Sequence, residues 1–142
     1  MAGITFFSQD IPFKPSKPQK TKRWIREVVR REGRHLLQLN YIFCSDDYLL
    51  AINRQYLQHD TLTDIITFDN SETSNEIEGD IFISIERVEA NARELGIDFD
   101  DELNRVLIHG VLHLMGFQDK TTKDKSLMRK KEDACLSLRS KI

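Results

Sequence analysis

Within HGVLHLMGFQD, residues 109–119, two histidines stand four positions apart, followed by a glycine and then an acid. On a helix this spacing puts both Cβ atoms on one face, about 5–6 Å apart. Both imidazoles can then reach one metal ion, at Zn–N distances of about 2.0–2.1 Å. Gly116 can end the helix in a left-handed turn and double the chain back, which makes Asp119 the candidate third ligand. Two histidines and a carboxylate leave a fourth position for water, as in catalytic rather than structural zinc sites. H-x-x-x-H-x-x-G-x-x-D is thus the framework of an extended zincin site. Metalloproteases carry a glutamate as general base after the first histidine, and here Gly110 occupies that position. Glycine moves no proton, although it can let backbone or substrate approach the metal closely. The competing reading is two core histidines bonded to backbone or water, with Asp119 a plain loop acid. Two histidines in register, a turn glycine and an acid at the third-ligand position favour the metal.

The segments that must position this site are legible from periodicity. GITFFS (3–8) reads as a strand, and the proline-bearing stretch 9–19 as an irregular connection. From Thr21, Trp24, Ile25, Val28 and Val29 recur at helical spacing until Gly33. HLLQLNYIFC (35–44) is a strand, and Ser45 caps a helix over 46–57. Strands follow at 64–69 and 78–85, joined by the polar segment 70–77. A helix over 86–95 ends at Gly96. The next begins near Asp98–Asp101, where acids suit a helix N-terminus, and runs to Gly116 as the most apolar segment of the chain. A final amphipathic helix covers 122–139. The order predicts one α/β (α+β) domain over residues 1–142. One mixed sheet of about four strands is packed with five helices, and the zincin-like metal helix lies against it.

Composition narrows the class. A chain of 142 residues, 39% apolar and 31% charged, is ordinary for a globular protein. No apolar run approaches the ~20 residues of a membrane span, and the N-terminus shows no signal-peptide pattern. Cys44 and Cys135 are too few for a disulfide framework, which suits reduced thiols in a cytoplasmic protein. The net charge of −2 hides an asymmetry. Residues 14–34 carry nine lysines and arginines against Glu27 and Glu32, and residues 120–141 carry eight against three acids. Residues 46–102 hold sixteen acids and three arginines. The two basic ends would form a phosphate-binding surface if they met in space; the plainer expectation is two solvated helix faces.

The residues resemble the YbeY family of bacterial single-strand-specific metallo-endoribonucleases, whose signature H-G-x-L-H-L-x-G-Y/F-D-H is similar to His109-Gly110-Val111-Leu112-His113-Leu114-Met115-Gly116-Phe117-Gln118-Asp119. A second family pattern, L-N-x-x-Y-R-x-x-D-x-x-T-D-V-L-S-F, resembles residues 52–68, and Gly79-Asp80-Ile81 matches the family's G-D-I strand. The resemblance implies one Zn²⁺ per chain and hydrolysis of single-stranded RNA. It also implies roles in 16S ribosomal RNA 3′-end maturation and ribosome quality control, with the ribosome or its small subunit as partner and no membrane. Metal-bound water would attack phosphorus while the ion polarises a phosphoryl oxygen, and no side-chain general base is assigned.

Two departures from the family pattern bear on that expectation. Asp119 replaces the family's third histidine, preceded by Gln118 instead of aspartate. The carboxylate lowers the net charge at the ion and widens the acceptable metals towards Mn²⁺ or Fe²⁺. Leu57 replaces the arginine that follows the family's tyrosine, and leucine neither binds phosphate nor stabilises developing charge. Arg54 or Arg105 would have to supply that role. Leu57 favours the alternative of a non-catalytic, metal-stabilised ribosome assembly factor, while Gly110 weighs against hydrolysis of a peptide or other small substrate. Of the remaining residues, His35 and His59 read as surface or packing histidines, Trp24 as a core anchor rather than a base-stacking ring, and Asp64 and Asp80 as structural hydrogen-bonding acids.

Overall fold

A computed structural model of the chain describes residues 3–58 and 63–142. Among these residues the apolar stretches form four strands, β1 (Gly3–Ser8), β2 (His35–Cys44), β3 (Ile65–Asp69) and β4 (Glu76–Ser84), in the order β1-β2-β4-β3. β1, β2 and β4 are parallel, and β3 closes the edge antiparallel to β4. The five helices are α1 (Pro18–Arg31), α2 (Asp46–Leu57), α3 (Ile85–Leu95), α4 (Phe99–Leu114) and α5 (Thr122–Arg139). The expected mixed α/β architecture is therefore the observed one. His59 lies outside the described residues.

The element boundaries shift for identifiable reasons. α1 begins at Pro18 rather than Thr21, because a proline in the first turn has no N–H to lose and its φ is already helical. β4 begins at Glu76 rather than 78, since Glu76 and Ile77 pair with His35 and Leu36 of β2. The polar connection shrinks accordingly. Ser45 caps α2 by accepting from the Tyr48 amide at 3.1 Å, and Thr121 and Asp124 form a reciprocal capping box at the start of α5.

Alternation along the strands sends residues to opposite faces of the sheet. Leu39, Tyr41 and Phe43 of β2 and Ile77, Ile81 and Ile83 of β4 are fully buried in one core with α1, α3, α4 and α5. A smaller cluster joins Leu49 and Ile52 of α2 to Ile66, with Phe68 and Phe82 packed on it. Trp24 is fully buried, and its Nε1–H donates to the Cys135 carbonyl at 2.7 Å, tying α1 to α5. It is a core anchor, and removing such a ring costs about 3–5 kcal/mol.

α4 lies close against the sheet. The Tyr41 hydroxyl donates to the Leu107 carbonyl at 2.9 Å. A Cβ on Gly110 would stand 2.9 Å from Ile81 Cδ1 and 3.0 Å from Ile65 Cδ1. Gly110 is thus a point where helix meets sheet, and the absence of a side chain there serves packing against Ile81 and Ile65. A side chain there would enter the core.

The two basic segments do adjoin, since Arg139 donates to Thr21 Oγ1 at 3.0 Å and Lys131 pairs with Glu32 at 2.8 Å. Part of their charge is engaged internally. Arg30 and Arg31 pair with Glu27, and Arg34 donates to the Ser74 and Met115 carbonyls. No helix among the described residues is long and apolar enough to cross a membrane.

Candidate metal centre

α4 ends in a tight reversal. The Gly116 amide donates to the His113 carbonyl at 2.9 Å and the Phe117 amide to the Leu112 carbonyl at 3.1 Å. Gly116 has φ +102°, a conformation that penalises any Cβ, so glycine suits this turn. The reversal brings Asp119 back over the helix, with its Oδ2 3.8 Å from His109 Nε2. One ligand atom from each of His109, His113 and Asp119 can be chosen so that all lie within 4.8 Å of one another. The two imidazoles stand 4.5 Å apart between centroids and 80° between planes, so they converge rather than stack. Two ring nitrogens and a carboxylate oxygen, all half-buried, form a donor set that could hold a divalent transition metal ion.

Behind His109 lies a residue that spacing within the motif does not reveal. Glu132 of α5 is buried, and its Oε2 is 2.6 Å from His109 Nδ1 while its Oε1 accepts from Arg105 Nη1 at 2.9 Å. Arg105 also donates to Asp133 at 2.9 Å. The carboxylate fixes the proton on Nδ1 and leaves Nε2 free on the side of Asp119, the arrangement by which carboxylates orient metal-binding histidines. A signal for Glu132 did exist in the sequence. It occupies the apolar stripe of α5 with Met128, Cys135 and Leu136, where an acid needs a partner.

The electrostatics follow from this geometry. Burial works against a proton on His109, but the bond to Glu132 and that residue's charge prevail and hold its pKa above the ordinary imidazole value. Burial and the neighbouring His109 hold His113 below that value. Burial would raise Glu132, yet its bonds to His109 and Arg105 keep it below the usual carboxylate range.

His109 and Asp119 open on a cavity of about 390 Å³. Asp64 and Glu102 line it, with Lys125 and Arg129 reaching it from α5. Burial pushes both the Asp64 and the Glu102 carboxyls up, the neighbouring carboxylate adding to the effect at Glu102. The expectation of a structural acid therefore divides. Asp80 accepts from Asn40 Nδ2 at 3.0 Å and Asn70 Nδ2 at 3.4 Å, whereas the Asp64 side chain faces the cavity. A second cavity, about 330 Å³, lies on the His113 side and is lined by Leu57, Asn53 and Thr67 among others. Of the two arginines considered as substitutes for a base at position 57, Arg105 is held by Glu132 and Asp133, and Arg54 stands exposed in the last turn of α2. His35 is exposed.

Comparison with known proteins finds relatives of this chain. The sequence model for the family described as Endoribonuclease YbeY matches residues 6–139. Proteins named endoribonuclease YbeY from Cytophaga hutchinsonii and Amoebophilus asiaticus are 54% and 52% identical, over 96% and 92% of this chain and 95% and 89% of their own lengths. The protein of that name from Bacteroides thetaiotaomicron is 42% identical over 96% of this chain and 99% of its own. Among solved structures, the solution structure of TM1509 from Thermotoga maritima matches with a TM-score of 0.64 and 28% identity, covering 98% of this chain and 93% of that one.

Proposed function

This chain belongs to the YbeY family of endoribonucleases, and from that premise we propose that it cleaves single-stranded RNA as a single-domain enzyme at one metal ion, Zn²⁺ in the first instance, held by His109, His113 and Asp119. The observation that carries this reading is the convergence of the three ligand groups, two of which line a cavity, with Glu132 bonded behind His109. Ribosomal RNA is the proposed substrate, in maturation of the 16S 3′ end and in ribosome quality control in the cytoplasm, with the small subunit as partner.

When bound, the ion supplies Lewis acidity at the phosphoryl group and activates water for attack on phosphorus. The residues of the chain do the rest. Glu132 holds the proton at His109 Nδ1 and so presents the Nε2 lone pair. The Asp119 carboxylate completes the donor set and lowers its net charge, which makes the site hospitable to Mn²⁺ or Fe²⁺ as well. Lys125 and Arg129 lie close enough to the cavity to attract a phosphate chain. Gly110 has no side chain to move a proton, so no base acts from the position that serves metalloproteases.

Leu57 supports a second reading, a non-catalytic ribosome assembly factor with a structural metal, because the cavity beside His113 receives leucine methyls where the family pattern has a cation. Metal content and cleavage of a single-stranded RNA, measured for the wild type and for Asp119→Ala, separate the two. The nuclease reading expects about one zinc per chain and metal-dependent cleavage, both lost in the variant. Stoichiometric zinc without cleavage leaves the assembly-factor reading. A wild type that binds no metal removes both.

A further inference from the structure

The cavity next to His109 contains a group that the metal centre does not use. Glu102 is only 6% exposed, it lines the cavity, and its Oε1 is buried without any hydrogen-bond partner. A buried carboxyl without a donor has lost its water and gained nothing in return, and the cost is greater when it is charged. Such a group is retained where a ligand supplies the missing donor. Asp64 adds a second acceptor to the same cavity, and Val106 and Met128 give it apolar walls. Lys125 and Arg129 are exposed cations that also line it.

We propose that this cavity is a base-binding subsite adjoining the metal, in which Glu102 receives the N–H donors of a guanine in the RNA strand. The proposal rests on the endoribonuclease reading for the polymer and on the cavity for the base. A volume of about 390 Å³ falls in the range of roughly 300–1,000 Å³ typical of small-ligand sites. Apolar walls suit the faces of a base, and the acceptors decide which edge can enter. On its Watson–Crick edge guanine offers two adjacent donors, N1–H and the N2 amino group, which match both oxygens of one carboxylate once a turn of the Glu102 side chain brings the buried Oε1 out to the cavity. Adenine and cytosine offer one donor beside a bare acceptor nitrogen, and uracil a single donor between two carbonyls. Each of these three turns an acceptor towards a carboxyl that has no donor to spare. Lys125 and Arg129 then lie where the phosphate of the same nucleotide needs positive charge.

The test is binding of the four nucleoside 5′-monophosphates to the zinc-loaded full chain, followed by titration calorimetry, for the wild type and for Glu102→Gln. Phosphate and ribose are common to all four ligands, so any affinity for the metal or the lysine cancels in the comparison. The wild type binds GMP about tenfold or more tightly than AMP, CMP or UMP, as one bidentate base contact provides. Glutamine presents one acceptor and one donor, so Glu102→Gln loses the guanine preference and improves towards adenine or cytosine. Thermal melting accompanies the titration and shows that the variant is folded. Equal affinities for the four nucleotides in the wild type overturn the proposal whatever the variant does, and so does a guanine preference that survives the substitution. Cleavage of a mixed-sequence single-stranded RNA, run in parallel, separates the two readings. Cleavage with no nucleotide preference removes the subsite and leaves the nuclease. Guanine preference with no cleavage supports the subsite and removes the nuclease reading.

Discussion

Glu132→Gln keeps the shape of the side chain and removes its charge, so it isolates what that carboxylate does for His109. In the native protein Glu132 accepts two bonds, at 2.6 Å with His109 Nδ1 and 2.9 Å from Arg105. The glutamine oxygen can satisfy one of those donors, and its amino group must then face the other. One hydrogen bond to a charged group is lost in a buried place, which costs about 1.5–3 kcal/mol of stability. For metal binding two effects oppose each other. Loss of the charge lowers the His109 pKa, because Glu132 raises it most, ahead of Asp119 and Asp64, so protons compete less with the metal. Against that, the ring loses the partner that fixes its tautomer and orientation, which weakens affinity by about 10–100-fold, or roughly 1.4–2.8 kcal/mol. Proton competition falls as the pH rises, so an alkaline buffer brings out the second effect. Zinc affinity is therefore measured at pH 8 by competition with a chromophoric chelator, alongside a thermal melt. Asp133→Asn serves as the control, since Asp133 bonds the same Arg105 without touching His109 and is largely exposed. The expected result is a tenfold or greater loss for Glu132→Gln and a change under about twofold for Asp133→Asn. Equal affinity in Glu132→Gln and wild type, or an equal loss in the control, refutes the orienting role.

Three further outcomes are expected. Asp119→His replaces an anionic oxygen ligand with a neutral nitrogen, so competition titration finds the preference for Zn²⁺ over Mn²⁺ increased; an unchanged ratio means that residue 119 is not a ligand. Gly110→Glu writes the protease motif into the chain but drives a side chain into Ile81 and Ile65. It should lower stability by at least the ~1–3 kcal/mol of an overpacked core and yield no peptidase activity, and a melting temperature equal to wild type contradicts that packing. Burial pushes the thiols of Cys44 and Cys135 up to about 12 and about 11. The native state therefore keeps these protons after an unfolded thiol, at 9.0, has lost its own, and their contribution to stability falls as pH rises from 9 towards those values. Iodoacetamide at pH 8.5 should label both cysteines only in denaturant, and rapid labelling of the native protein would show them to be accessible thiolates.

How much of this was written in the sequence depends on how local each feature is. The histidine pair needs only the 3.6-residue repeat of one helix, and Gly116 needs only its own φ. The reversal at Gly116 and the reach of Asp119 are therefore legible within eleven residues. The strands and helices follow from periodicity in the same way, and their ends shift by a few residues where a proline or a neighbouring strand intervenes. The role of Gly110 was not local. Spacing put a glycine where a base was missing, and only the approach of α4 to β3 and β4 showed that a side chain there would press on the Ile81 and Ile65 methyls. Glu132 joins His109 across 23 positions, and Asp64 and Glu102 meet at a cavity made by separate elements. The amino-acid order determined which residues could bind a metal, because that depends on repeat and turn along one stretch of backbone. The tertiary structure decided which carboxylate orients the ligand and which remains without a donor, because burial and pairing arise only when distant segments exclude water from the same space.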